Sequence, residues 1–202
     1  MLYQASNPHG GDLYGRAVDL DFSVNTNPLG TPPSVVRAVE DAARDLCRYP
    51  DPGCRELTAA LSAREGVSPD AILCGCGAAE LIYAYCGALG AVRALMPVPT
   101  FLEYGAALEA FGGEAEPFFL KEEEGFALTE AFLTALERTD CGAVFLCSPN
   151  NPTGRLIRPE LLEEICRICH RRGLRLFVDE CFLELSDGGR EASLAGWLDA
   201  FP

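Results

Sequence analysis

Apolar positions recur along the chain in two alternating rhythms: the 3.6-residue spacing of an amphipathic helix and the short unbroken run of a buried strand. After Pro32-Pro33, the residues Val35, Val39, Ala42 and Leu46 share one helical face and predict a helix over 33–46. Arg48-Tyr49-Pro50-Asp51-Pro52-Gly53 is a turn-rich connector. A second helix is expected over 54–65, with Leu57 and Leu61 on one face and Gly66 as its stop. A short apolar strand at 71–74 enters Gly75-Cys76-Gly77-Ala78-Ala79 and opens a helix over 80–89. A strand over 93–96 then runs through Pro97-Val98-Pro99 into a helix at 101–111, which stops at Gly112-Gly113. Residues 116–120 read as a strand and 121–125 as an exposed charged loop, with Thr129 as N-cap of a helix over 130–138. A buried strand at 142–147 breaks into Ser148-Pro149-Asn150-Asn151-Pro152-Thr153-Gly154. A helix over 159–172 ends at Gly173, a strand over 174–178 ends in Asp179-Glu180, and 193–200 reads as a last helix.

Strands this apolar, separated by helices, predict an α/β fold: a mainly parallel sheet with helices on both faces. Ligands of such sheets bind beyond the C-terminal ends of the strands. There the chain offers Gly75–Ala79, Pro97–Tyr104, Ser148–Gly154 and Asp179-Glu180.

Charge narrows the partners. With 16 basic and 30 acidic residues the net charge is −14, which repels nucleic-acid phosphates and anionic membranes within a Debye length. The only dense basic patch is Arg171, Arg172 and Arg175, so no nucleic-acid partner is expected. No apolar run reaches the ~18 residues of a membrane span. The first residues lack the basic and apolar regions of a signal peptide, so a cytoplasmic location is expected. The ten cysteines then read as reduced thiols, many of them in apolar segments (Cys74, Cys86, Cys141, Cys147). Cys166-Arg167-Ile168-Cys169-His170 matches a haem-attachment pattern, but it shares an amphipathic helix with Leu161, Leu162 and Ile165 and reads as packing. Cys74 and Cys76 lack a second pair of ligands, and no metal is expected.

Three strand ends carry candidate chemistry. Gly75–Ala79, between a strand and a helix, is either a tight turn or an anion cradle made by free N–H groups at a helix N-terminus. Glu80 stands where a dinucleotide fingerprint needs its third glycine. Asp179, ending a buried strand, is either a structural cap or the partner of a cation, for which a protonated ring nitrogen is a natural choice. An amide in Asn150-Asn151-Pro152-Thr153-Gly154 can donate to a ligand oxygen or serve the turn.

The ordered set Tyr49-Pro50-Asp51, Gly75–Glu80, Pro99-Thr100-Phe101, Pro149–Gly154 and Val178-Asp179-Glu180 resembles the fold-type I pyridoxal-phosphate enzymes. Within them it resembles the branch of histidinol-phosphate aminotransferases and of the threonine-phosphate decarboxylases of cobalamin synthesis. His9-Gly10-Gly11 and the stretch Asp21–Gly30 favour the decarboxylases, as does Phe182, where the aminotransferases usually carry a tyrosine. The resemblance implies an N-terminal arm over 1–32 and a partial cofactor-binding large domain over 33–202. It implies pyridoxal 5′-phosphate as cofactor, its phosphate on the N–H groups of Ala78 and Ala79 and its ring stacked on Phe101. Asn151 would donate to the ring hydroxyl oxygen, and Asp179 would pair with the pyridinium nitrogen. Tyr49 would reach the phosphate of a neighbouring subunit in a homodimer. His9, Gly10, Asn25 and Asn151 would face a small phosphorylated amino acid. The family's Schiff-base lysine lies in a Ser-x-Thr-Lys segment expected after residue 202. Lys121, the one lysine of the chain, begins a Lys-Glu-Glu-Glu loop and is not expected to replace it, so no catalytic residue is assigned and this chain alone is not expected to be competent. A non-catalytic module that keeps the fold and binds a phosphate compound or a partner is the reading outside enzymes.

Overall fold

The computed structural model describes residues 10, 11, 13–15 and 17–201. The chain divides into two compact units, one ending at Pro52 and one beginning at Gly53. In the first, α1 (Pro33–Ala42) continues as a 3₁₀ turn over Ala43–Asp45 and buries none of its residues. Pro33 at its first position costs nothing there, because the missing N–H has no helical acceptor.

The second unit begins with α2 (Arg55–Glu65), closed by Gly66 in the left-handed region at φ 70°. It continues with α3 (Gly77–Leu89), β1 (Arg93–Val98), α4 (Glu103–Ala110), β2 (Glu114–Phe119), α5 (Ala131–Arg138), β3 (Ala143–Cys147), α6 (Pro159–Arg172) and β4 (Arg175–Asp179). The four strands form one sheet in the order β2-β1-β3-β4, and every pairing is parallel. The period-2 geometry of strands sorts their side chains into two cores. Ala94, Met96, Ala143, Phe145 and Cys147 meet Ile82 and Cys86 of α3 and Tyr104, Ala107 and Leu108 of α4. Leu95, Val144 and Leu146 meet Phe132 and Leu136 of α5 and the apolar stripe of α6. The sheet is thus covered on both faces, as the sequence pattern implies. At its lower end Arg93 ties β1 to Glu114 and Glu116 of β2 and to Asp140 before β3.

Three local expectations are corrected. Residues 71–74 do not form a strand: Ser68 caps a 3₁₀ turn over Pro69–Ala71, and the extended residues after it pair with no strand among the described residues. Thr129 does not cap α5; its hydroxyl turns to Glu124 at 3.5 Å, and the helix starts from Glu130. The last helix is only a 3₁₀ turn over Leu194–Trp197. Glu180 anchors it, accepting from the Ser193 hydroxyl at 2.7 Å and the Leu194 N–H at 2.8 Å. Gly196 in its middle disfavours extension into an α-helix.

Candidate active site

The C-terminal ends of β1, β3 and β4 lie on one side of the parallel sheet. α3 is about 20 Å long at 1.5 Å per residue, and Gly90–Val92 joins it directly to β1. Packed along the sheet, it brings its N-terminus back to that same side, and Ala78 joins the core cluster that holds Tyr104, Phe101 and Cys147. Gly77 takes a positive φ of 83° at the helix start. Its N–H bonds to Gly75 O at 2.9 Å, and Glu80 folds back to accept the Cys76 N–H. Ala78 and Ala79 occupy the first turn, where no helical carbonyl can accept their N–H groups. An anion can take both.

The loop after β1 and the loop after β3 are locked together by Asn150. Its side-chain oxygen accepts from the Thr100 hydroxyl at 2.9 Å, and its amide donates to Pro99 O at 3.0 Å and to Thr153 Oγ1 at 2.9 Å. Asn150 is therefore consumed by the scaffold. Asn151, half-buried beside it, makes none of these bonds. The motif alone left the two asparagines open and the resemblance named Asn151; the bond set commits Asn150 to the scaffold.

Asp179 closes β4 opposite Cys147 of β3 and is 8% exposed. Its Oδ2 accepts from the Tyr104 hydroxyl at 2.8 Å and its Oδ1 from the Cys181 N–H at 2.9 Å. Among the described residues no lysine, arginine or histidine forms an ion pair with it. A carboxylate this buried is normally matched by a cation, and Asp179 is suited to receive one. Phe101, half-buried at the end of β1, meets the Tyr104 ring edge-on at 5.7 Å. Burial, then Cys147 and Asp179, push the Tyr104 phenol far above its ordinary range. Burial likewise raises the Cys147 thiol and lifts Cys181 to about 12, with Asp179 adding to it.

Ala78, Phe101, Asn151 and Asp179 thus lie around one end of the sheet. Backbone N–H groups at a helix start, an aromatic ring, a side-chain amide and a buried carboxylate are residue chemistry that fits a phosphorylated pyridine such as pyridoxal 5′-phosphate. The remaining expected residues belong to the first unit. Gly10 sits so close to Ser23 that a Cβ would fall 2.0 Å from its carbonyl oxygen, while Asn25 is exposed and Tyr49 is 98% exposed. His9 lies outside the described residues. Lys121 is exposed and pairs with Glu124 at 3.4 Å. Cys166 and Cys169 are buried in the α6 core while His170 is exposed, so the three do not converge on one ligand. A cavity of about 450 Å³ lies elsewhere, between Cys169, Leu176 and Trp197 along the outer edge of β4.

Comparison with known proteins adds four findings. Residues 17–199 match the family model described as aminotransferase class I and II. The chain is 39% identical over 187 residues to a threonine-phosphate decarboxylase of Salmonella typhimurium, covering 89% of this chain and 51% of that protein. It is 38% identical over 171 residues to a histidinol-phosphate aminotransferase of Desulfitobacterium hafniense, covering 82% of this chain and 47% of the other. The crystal structure of the histidinol-phosphate aminotransferase from Clostridium acetobutylicum superposes with a TM-score of 0.78 at 25% identity, over 89% of this chain and 52% of that one. The chain spans about half the length of the curated relatives it matches.

Proposed function

The chain belongs to the aminotransferase class I and II family of pyridoxal-phosphate enzymes, and from that premise we propose that the whole protein decarboxylates L-threonine O-3-phosphate in cobalamin synthesis. The observation that supports the cofactor part of this reading is the buried Asp179 carboxylate, held by two neutral donors and paired with no lysine, arginine or histidine among the described residues. The substrate part is supported by the relatives named threonine-phosphate decarboxylase, at 39% and 38% identity, and by Phe182 in place of a tyrosine.

When bound, pyridoxal 5′-phosphate supplies an electron sink for the pair released from a bond at the substrate Cα. The protein's own part is binding and orientation. Ala78 and Ala79 N–H groups hold the phosphate, aided by the positive end of α3. Phe101 covers one ring face. Asn151 donates to the ring hydroxyl oxygen. Asp179 holds a proton at the ring nitrogen. His9, Gly10, Asn25 and Asn151 would face the phosphorylated amino acid, and Tyr49 would reach the phosphate of a second subunit in a homodimer, with an arm over 1–32 and a partial large domain over 33–202.

The second reading is transamination of histidinol phosphate, favoured by the superposition on the Clostridium enzyme. Incubating the full-length protein with O-phospho-L-threonine and no keto acid separates the two. Release of CO₂ supports the decarboxylase. Silence there, with amino transfer from histidinol phosphate to 2-oxoglutarate, supports the aminotransferase instead.

A further inference from the structure

Among the described residues, Tyr104 is the bulkiest side chain that is completely buried. Its ring packs 5.7 Å from Phe101, 5.7 Å from Phe145 and 6.0 Å from Phe177. A phenylalanine would make the same ring contacts, so the hydroxyl needs a separate reason. Burying a hydroxyl is unfavourable unless it is bonded, and the bond it makes is to Asp179 Oδ2 at 2.8 Å. The other oxygen is held by the Cys181 N–H at 2.9 Å. Two neutral donors, one on each oxygen, fix the plane of the carboxylate without cancelling its charge. A cation near the strand end then meets an anion already aimed.

We infer that Tyr104 is a positioning residue, whose hydroxyl orients the Asp179 carboxylate toward the ring nitrogen of the cofactor. The inference rests on the pyridoxal-phosphate reading above. Nothing in the ring packing alone asks for a hydroxyl here, and nothing in the motif spacing marks Tyr104.

The test compares cofactor affinities in the full-length protein and its Tyr104→Phe and Asp179→Ala variants. The two probes are pyridoxal 5′-phosphate and its 1-deaza analogue, in which the ring nitrogen is a C–H. The unmodified protein should prefer the natural cofactor. Tyr104→Phe should cut that preference about tenfold, the size of one well-placed bond to a charged group, with the cofactor-free protein still folding cooperatively and melting only a few degrees lower, roughly the loss of that one bond. Asp179→Ala should abolish the preference. Equal weakening of both probes by Tyr104→Phe, or of neither, would overturn the inference while leaving the role of Asp179 intact. A Tyr104→Phe chain that melts far lower or does not fold assigns the hydroxyl to stability and overturns it as well. If Asp179→Ala keeps the preference, or the natural cofactor does not bind, the cofactor reading itself fails and the inference falls with it.

Discussion

Two adjacent asparagines show how far residue-level chemistry can be read from a sequence. Asn150 and Asn151 are the same letter, yet Asn150 spends three side-chain bonds on the scaffold and Asn151 makes none of them, the position the proposed cofactor role needs. Asn150→Ala should cost about 1 kcal/mol in urea unfolding, because it removes three bonds to the half-buried Thr100 and Thr153 hydroxyls and the Pro99 carbonyl at once. Asn151→Ala should fall within about 0.5 kcal/mol of the unmodified protein while weakening cofactor binding. Asp179 was legible because a carboxylate ending an apolar strand is costly unless it has work to do. Tyr104 was not, since an aromatic residue at helical spacing reads as core, and its ring is core. The thiols follow burial: Cys166 is pushed up to about 11 and Cys169 to about 12, burial first in both cases. An unfolded chain ionises such thiols near pH ~8.5, whereas the folded one holds their protons. The stabilisation they give is therefore complete below about pH 8.5 and is lost as the pH climbs toward 11 and 12. The urea midpoint should accordingly be lower at pH 10.5 than at pH 8, roughly, and a Cys166→Val, Cys169→Val double variant should flatten that fall.

Among the elements, those with a strong period and a chemical stop were placed well. α6 runs from Pro159 to Arg172, with Gly173 at φ 68° closing it and donating to Cys169 O and His170 O. Any residue with a Cβ is strained in that conformation, so Gly173→Ala should destabilise by about 1 kcal/mol. Gly105 is the opposite case. It lies inside α4 with ordinary helical geometry, and nothing lies within 4 Å of where its Cβ would be. Gly105→Ala should stabilise by about 0.5–1 kcal/mol, and both changes can be read from thermal unfolding followed by circular dichroism. What stayed illegible were elements decided by neighbours distant in sequence. Residues 71–74 have strand composition but pair with no strand among the described residues, and composition carries no information about a ladder partner. The segment after Ser193 owes its course to Glu180, 13 residues upstream of that serine, and no local pattern announces that anchor.

At the scale of the molecule, the alternation of strand and helix was enough to imply the parallel sheet with two covered faces, because only that arrangement buries such strands. The net charge of −14 is not needed by that architecture and works against compaction. Raising NaCl from about 20 to about 300 mM shortens the Debye length several-fold, and the melting temperature should rise over that range; no rise would mean that the ion pairs lost to screening outweigh the repulsion relieved. The placement of Trp197 has an optical consequence. It is the one tryptophan in the chain, and it stands in the cavity by the β4 edge with Phe201 6.1 Å away, not in either core. Intrinsic fluorescence is therefore a reporter on the seam where the last turn meets the sheet. An emission shift to longer wavelength during denaturation would record that turn peeling off, and it should precede the loss of ellipticity that marks the melting of the sheet itself.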